Sequence, residues 1–289
     1  MGLIETSEAK CRDCYKCIRH CPVKAIGLKD EQAWIVEETC ILCGNCLEVC
    51  PQNAKSVTSH LGNFEKLLSS REKVVVSLAP SYLAGFNYSS PFKIISSLKE
   101  MGVDKIEETA IGAELVSDKY KELYHKKNNQ PLISSCCPTI VNLIERHYPE
   151  LVDFLAPVIS PILAHARMIK NKYDEVKVVF IGPCYSKKEE PDWEDENNPV
   201  DLVLSFEELQ KYIEKKDIKS ENLKEDYPDL ISSKARNYPV ESGILKTSQI
   251  KEDLTAEVIS ISGLEECIEL FEDMKKGNIS PDFIEVLAC

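Results

Sequence analysis

The sequence predicts an α/β protein, with largely parallel sheets flanked by helices, preceded by a small cysteine-rich α+β domain. Three observations predict this. Eight of the 13 cysteines fall within the first 50 residues, so that stretch is organised around cysteine. Beyond residue 73, short β-branched runs alternate with helical stretches, the pattern of βα units and a parallel sheet. Three such runs end in cysteine: 131–135 lead into Cys136-Cys137-Pro138, 175–181 into Gly182-Pro183-Cys184, and 283–288 into Cys289. Open α/β sheets bind ligands at the carboxyl ends of their strands, so these runs are expected to deliver cysteine to one rim. That is the geometry of a metal site more than of a disulfide.

The chain has 289 residues, 43% of them hydrophobic, enough to bury a full core, and it is expected to divide into domains over 1–60 and 61–289. A net charge of −13 with no Lys/Arg-rich tract makes nucleic acid and anionic membrane poor partners. No apolar run approaches the roughly 18 residues of a spanning helix, and the polar N-terminus lacks a signal-peptide core. A cytoplasmic protein is expected. In that reducing compartment its cysteines point to metal ligation rather than structural disulfides.

The elements follow in order. Residues 57–73 carry helical content (Phe64, Leu67, Leu68) and link the domains. Strand 74–78 ends in Ala79-Pro80-Ser81, helix 91–101 is amphipathic, 103–106 is a short strand, and helix 110–127 is weakened by Gly112. After the strand into Cys136 come helices 139–147 and 161–173. Strand 176–181, stopped by Gly-Pro, leads to Cys184. Strand 201–204, helix 206–216, strand 258–260 and helix 264–276 continue the alternation. Residues 186–200 and 216–239 are polar and proline-punctuated and are expected as surface loops.

The cysteine runs carry the first chemistry. Cys11-x2-Cys14-x2-Cys17-x3-Cys21-Pro22 is repeated as Cys40-x2-Cys43-x2-Cys46-x3-Cys50-Pro51. In this pattern three thiolates wrap one face of a cubane and the fourth crosses to its neighbour. Cys11, Cys14, Cys17 and Cys50 are therefore expected on one [4Fe-4S] cluster, and Cys40, Cys43, Cys46 and Cys21 on the other. A zinc reading needs separate four-ligand groups and does not account for the repeat. The segment resembles a bacterial two-cluster ferredoxin domain, and two clusters a short hop apart mean electron transfer.

The remaining motifs resemble the [FeFe]-hydrogenases. Ser134-Ser135-Cys136-Cys137-Pro138 is similar to that family's Thr-Ser-Cys-Cys-Pro. Pro183-Cys184-Tyr185-Ser186-Lys187-Lys188-Glu189-Glu190 is similar to Pro-Cys-x-x-Lys-Lys-x-Glu, and Phe283-Ile284-Glu285-Val286-Leu287-Ala288-Cys289 to the opening of the third signature. Ala79-Pro80-Ser81, Ser160-Pro161 and Ser262-Gly263-Leu264 are weaker echoes. The resemblance implies that Cys137, Cys184 and Cys289 ligate the [4Fe-4S] part of an H-cluster, with Cys136 passing protons. It implies that Lys187 contacts a cyanide ligand, that Glu190 belongs to the proton path, and that Ala79, Pro80, Ser81, Gly182 and Pro183 line the diiron pocket. It further implies reversible 2 H+ + 2 e− to H2, a redox partner such as a ferredoxin, and an H-cluster domain over 61–289.

Three departures bear on that reading. The third signature stops at Cys289, before the cysteine that bridges cubane and diiron unit, so the domain reads as truncated, and a diiron subcluster is expected only if that cysteine is supplied. Gly182 stands where the family places methionine. The helix whose acids relay protons reads Ala113-Glu114-Leu115, then Asp118-Lys119-Tyr120, with its final acids replaced. The combination resembles the sensory branch of the family, with slow turnover and a signalling partner. A non-turnover H2 or redox sensor, or an electron-transfer protein, is thus the alternative to an enzyme. An iron–sulfur assembly protein of the same family is disfavoured by the complete double cysteine run.

Other conspicuous residues have plainer readings. Cys267 sits in an apolar helical stripe with Leu264, Ile268 and Phe271 and reads as core. Lys188 reads as structural, His20 and His165 as surface or packing residues, and the acidic run 189–196 as a solvated loop.

Overall fold

A computed structural model of the chain describes residues 2–126, 130–193, 198–250 and 257–289. Its elements begin with β1 (Ile4–Thr6), α1 (Lys16–His20), β2 (Ile26–Lys29), β3 (Gln32–Ile35), α2 (Asn45–Glu48), β4 (Lys55–Val57) and α3 (Leu61–Ser69). Next come β5 (Lys73–Leu78), α4 (Tyr82–Gly85), α5 (Lys93–Glu100), β6 (Lys105–Glu108), α6 (Ala110–Lys126), β7 (Leu132–Ile133) and α7 (Pro138–His147). The rest are α8 (Pro161–Lys172), β8 (Val176–Gly182), β9 (Leu202–Ser205), α9 (Phe206–Lys215), α10 (Gly243–Ser248), β10 (Val258–Ser262), α11 (Leu264–Lys275) and β11 (Phe283–Leu287). Among the described residues no helix is long and apolar enough to cross a membrane.

The chain forms two compact units. The first joins Met1–Thr58, Asn128–Ala156 and Ala256–Cys289; the second joins Ser59–Lys127 and Pro157–Thr255. Sheet membership explains the interleaving, because β7 and β11 are parallel neighbours although well over a hundred residues separate them in the chain.

In the first unit β1 pairs antiparallel with β4 and β2 with β3, while β10-β11-β7 form a parallel sheet. Ile133, Ile140, Ile144, Phe271, Ile284 and Val286 bury together, and Ile41, Val23 and Cys43 from the N-terminal segment pack into the same cluster.

The second unit is built on the parallel sheet β6-β5-β8-β9. Val74, Val75, Val76 and Leu78 of β5 and Val178, Val179, Phe180 and Ile181 of β8 are all buried, the continuous apolar run of a strand covered on both faces. Each such side chain contributes about 1.5–3 kcal/mol of burial. Ser160 caps α8 by accepting from Leu163 N, with Pro161 in the first turn, and Ser205 forms a capping box with Glu208 at the start of α9.

Several expectations shift. The strand expected at 103–106 lies at Lys105–Glu108, because Gly102 turns at φ +95° and Asp104 N bonds Val74 O before the ladder begins. Gly112 is no weak point of α6. A Cβ there would stand 2.1 Å from Pro161 O, so its lack of a side chain lets α6 cross close against α8. Residues 216–239 are not all solvated loop. Leu230 bridges Glu107, Asp229 N bonds Ile106 O, and the segment covers the open edge of β6. Residues 186–193 form 3-10 turns with Ser186, Lys188 and Glu190 buried, which corrects the solvated reading of the acidic run. Residues 194–196 of that run, and Lys127, lie outside the described residues.

Candidate functional site

The N-terminal cysteines sort into two cavities. One is walled by Cys11, Cys14, Cys17 and Cys50. The other is walled by Cys21, Cys40, Cys43 and Cys46. Each takes three cysteines from one run and the fourth from the other, the crossed set that a pair of cubanes requires.

The backbone repeats this twofold relation. Positive φ falls at Asp13 (51°), Tyr15 (53°) and Lys24 (55°), and at the matching Leu42 (55°), Gly44 (81°) and Asn53 (49°). Left-handed residues between right-handed ones turn successive N–H groups inward, which makes a nest for an anion. Holding Tyr15 and Leu42 there costs strain that functional sites tolerate. Ala25 N donates to Cys21 Sγ at 3.2 Å and Ala54 N to Cys50 Sγ at 3.3 Å, again matched. Burial pushes the thiols of Cys43 and Cys46 up to about 11 and about 12. At Cys50 burial is outweighed by the N–H groups of Ala54, Gln52 and Lys55, which lower it. Sulfur wrapped by inward N–H groups in strained loops fits an anionic cluster, so the residues present suit the group the spacing implied.

The other cysteines of the first unit end strands. Ser134 N bonds Ile284 O and Ser134 Oγ accepts from Val286 N at 3.1 Å, locking the end of β7 onto β11. Cys136 and Cys137 follow, both buried, with Cys137 as the N-cap of α7, where the helix dipole favours negative charge. Cys289 follows β11 and is exposed. Cys267 is fully buried, its Sγ donates to Leu287 O at 3.6 Å, and burial aided by neighbouring Cys137 pushes it up to about 12.

Cys184 follows β8, in the sheet of the second unit, so the strands leading to the three motifs do not share one sheet. Within that unit Ala79 N bonds Ile181 O, which sets Ala79-Pro80-Ser81 beside Gly182-Pro183-Cys184 at the carboxyl edge. Cys184 Sγ lies 3.0 Å from Ser186 Oγ. Gly182 leaves no hole: a Cβ there would meet the Phe180 ring at 2.6 Å and Ala79 Cβ at 3.1 Å.

Lys187 Nζ bonds Glu190 Oε1 at 2.7 Å and Ser160 Oγ donates to Glu190 Oε2 at 2.8 Å. Burial raises the Glu190 carboxyl, an effect only partly countered by Lys187 and Ser160. Lys188 turns the other way and pairs with Glu208 at 2.8 Å. Asp118 and Lys119 of α6 are exposed, and Glu114 caps the 232–234 turn through Ser232 Oγ and the N–H groups of Ser233 and Lys234.

Two features had no strong sequence signal. Lys55 is buried, with its Nζ 2.5 Å from Thr6 Oγ1 and 3.3 Å from Ala33 O. Glu107 accepts from Lys172, Tyr173 and His165 Nε2, and His165 Nδ1 continues to Ser77 and Thr109. Burial opposes ionisation of Glu107, yet those three donors win and hold it at about 2.

Residues 72–289 match the sequence profile described as iron only hydrogenase large subunit, C-terminal domain, and residues 10–57 match a 4Fe-4S dicluster domain. Iron hydrogenase 1 of Clostridium pasteurianum is 31% identical over 188 residues, covering 56% of this chain and 33% of that protein. The NADP-reducing hydrogenase subunit HndD of Solidesulfovibrio fructosivorans is 26% identical over 64% of this chain and 37% of its own length. The cytosolic Fe-S cluster assembly factor NAR1 of Yarrowia lipolytica is 23% identical over 73% of this chain and 50% of its own. The chain thus spans about a third to a half of these relatives. An apo [FeFe]-hydrogenase HydA1 variant from Chlamydomonas reinhardtii shares the fold, with a TM-score of 0.65 at 19% identity over 80% of this chain and 82% of that one.

Proposed function

Because the chain belongs to the iron-only hydrogenase large-subunit family through its C-terminal domain, we propose that it is a hydrogenase-like iron–sulfur protein that responds to H2 and relays electrons through its N-terminal clusters. The crossed cysteine cavities carry this reading. Cys11, Cys14, Cys17 and Cys50 would hold one [4Fe-4S] cluster, and Cys21, Cys40, Cys43 and Cys46 the second. Cys137, Cys184 and Cys289 would ligate the cubane part of an H-cluster, whose diiron part needs the family's further bridging cysteine. When bound, that cofactor supplies the interconversion of H2 with two protons and two electrons; the chain supplies ligands, a dry pocket and proton groups.

Cys136 is the proton-carrying thiol in this reading. Lys187 presents a fixed cation, oriented by its bond to Glu190. Glu190, its carboxyl raised by burial and bonded by Ser160, can take up a proton. Lys119 and Tyr120 stand where the family relay has its two acids at the end of this α6 motif, which favours sensing over fast turnover. Solution partners are protons, H2, a one-electron carrier protein and, for a sensor, a signalling partner.

The test is infrared spectroscopy after anaerobic cluster reconstitution and loading with a synthetic diiron cofactor. The expected result is CO and CN− bands that shift under H2. Their absence with the N-terminal clusters intact makes this chain an electron-transfer protein whose H2 chemistry needs the bridging cysteine; their absence once that cysteine is supplied refutes the H2 reading. A second reading, an iron–sulfur assembly factor, is favoured by the coverage of the NAR1 relative. It predicts infrared silence together with transfer of a cluster to an apo-acceptor.

A further inference from the structure

The two halves of the N-terminal domain match in cysteine spacing, in the three left-handed residues of each run and in the N–H···S bonds from Ala25 and Ala54. They part company in the charge of their cavity walls, and at one such position the charge is buried. Five residues beyond the fourth cysteine of each run a strand begins: β2 with Ile26, β4 with Lys55. Ile26 pairs with Ile35 and both line the Cys21/Cys40/Cys43/Cys46 cavity. Lys55 pairs with Thr6 and both line the Cys11/Cys14/Cys17/Cys50 cavity. The apolar pair of one half is replaced in the other by a lysine bonded to a threonine hydroxyl.

Lys55 is 7% exposed, and its Nζ meets only a hydroxyl and a carbonyl, Thr6 Oγ1 and Ala33 O. Among the described residues no carboxylate pairs with it. A buried ammonium without a counter-charge is expensive. The compensating negative charge available beside it is the thiolate cage whose wall it forms. Its field reaches two cysteines of the first set, Cys17 and Cys50, and one of the second, Cys46, favouring the thiolate at each. It lines only the first cavity.

Resting on the two-cluster reading above, we propose that Lys55 is a tuning residue that makes the Cys11/Cys14/Cys17/Cys50 cluster the higher-potential member of the pair. Adding one electron to a [4Fe-4S]2+ cluster gives [4Fe-4S]1+ and increases its negative charge, so a nearby fixed cation stabilises the reduced form. Ile26 gives the twin cluster no such help. An electron entering the domain therefore rests on the Lys55 side.

The experiment is a dithionite redox titration of the reconstituted chain, followed by electron paramagnetic resonance of the magnetically coupled cluster pair. The wild type is expected to show two resolved midpoints. Lys55→Gln keeps a donor for Thr6 and Ala33 but removes the charge; the higher midpoint should fall further than the lower, closing the gap. The change is roughly tenfold in the reduced-to-oxidised ratio, about 59 mV for a one-electron couple. Lys55→Arg should keep the gap, and Ile26→Lys should raise the lower midpoint. A gap in Lys55→Gln equal to or wider than that of the wild type overturns the role of Lys55 while leaving the two-cluster reading standing. Absence of a coupled pair in the wild type overturns both.

Discussion

Removal of the Lys188 ammonium should cost the fold more than its place in a charged turn suggests. Its Nζ lies 2.8 Å from Glu208, with side-chain exposures of 1% and 9%. Glu208 also accepts from His60 N at 2.7 Å and Ser205 N at 2.8 Å. Burial works against its charge, but these bonds outweigh it and keep the carboxyl below its usual range. Lys188→Met strands that carboxylate. Breaking a buried pair costs about 3–5 kcal/mol, and the two surviving N–H donors place this site at about 3 kcal/mol. For a unit of this size each kcal/mol moves Tm by about 2–4 °C, so an apparent Tm drop of about 6–12 °C is expected. Lys188→Met combined with Glu208→Gln should recover most of the loss, because glutamine preserves the capping box with Ser205 and carries no charge. Thermal unfolding of the cluster-free, reduced chain by circular dichroism reads both values. A drop in Lys188→Met below about 2 °C, the range of a surface substitution, refutes the buried-pair argument. So does a double variant no more stable than the single one.

Lys187→Met should behave oppositely. Glu190 is already raised by burial and can neutralise by taking a proton, so the loss of Tm should be smaller than in Lys188→Met, while the CO and CN− infrared bands after cofactor loading disappear. Glu107 gives a pH signature. Its folded carboxyl is held at about 2 against an ordinary 4.5, so it stabilises the fold fully above pH 4.5 and the contribution fades as pH falls towards 2. The amount is about 3 kcal/mol; denaturant titrations of Glu107→Gln should lose this part of the acid slope, and an unchanged slope would remove Glu107 from the account. Gly182→Met restores the family's residue but drives it into the Phe180 ring, at a cost of about 1–3 kcal/mol. Adding Phe180→Ala should relieve the clash, and failure to do so would mean that the ring is not the obstacle.

Local features were legible in the chain and non-local ones were not. The cysteine runs declare themselves because a cubane's ligands in this pattern stand three positions apart, and the crossing fourth ligand, four positions on, follows from the same pattern. The strands β5 and β8 were visible as β-branched runs, and Pro138 and Pro161 marked helix starts. Which strands pair was not visible. Nothing in residues 131–135 or 283–288 says that β7 and β11 are neighbours, or that β8 belongs to another sheet. Glu190 read as part of a solvated run because charge dominates composition locally, and the partners that bury Lys188 and Glu190, Glu208 and Ser160, are each tens of residues away in the chain. Gly112 read as weak because propensity sees only its own helix, whereas α8 supplies the reason for it. Lys55 was overlooked because a lone lysine carries no signal until its twin position, Ile26, is superimposed on it.

The packing of the first unit sets the order of the proposed redox sites. Cys43, of the second N-terminal set, shares an apolar cluster with Cys137 and Cys267, and Ile41 beside it is 1% exposed in that same cluster. Arg146 of α7 reaches back to Cys40 O, and His147 Nε2 lies 2.8 Å from Thr39 O, so the helix that begins at Cys137 is fastened at its other end to the loop entering the second cysteine run. None of the set formed by Cys11, Cys14, Cys17 and Cys50 enters that cluster. Under the proposed cofactor assignment, the Cys40 set is therefore the one joined to Cys137 through packed protein, and the Lys55-lined set is the outer one. A higher potential on the outer cluster would hold a resting electron away from Cys137 and release it inward only against the gap. That arrangement suits a protein that reports the state of its inner site more than one that turns over quickly, and it ties the charge at Lys55 to the loss of relay acids at Lys119 and Tyr120. The link is testable in one variant: with the gap closed by Lys55→Gln, the fraction of inner-site infrared bands in the reduced state should rise in chains supplied with one electron each. An unchanged fraction would separate the two features and leave Lys55 a local device.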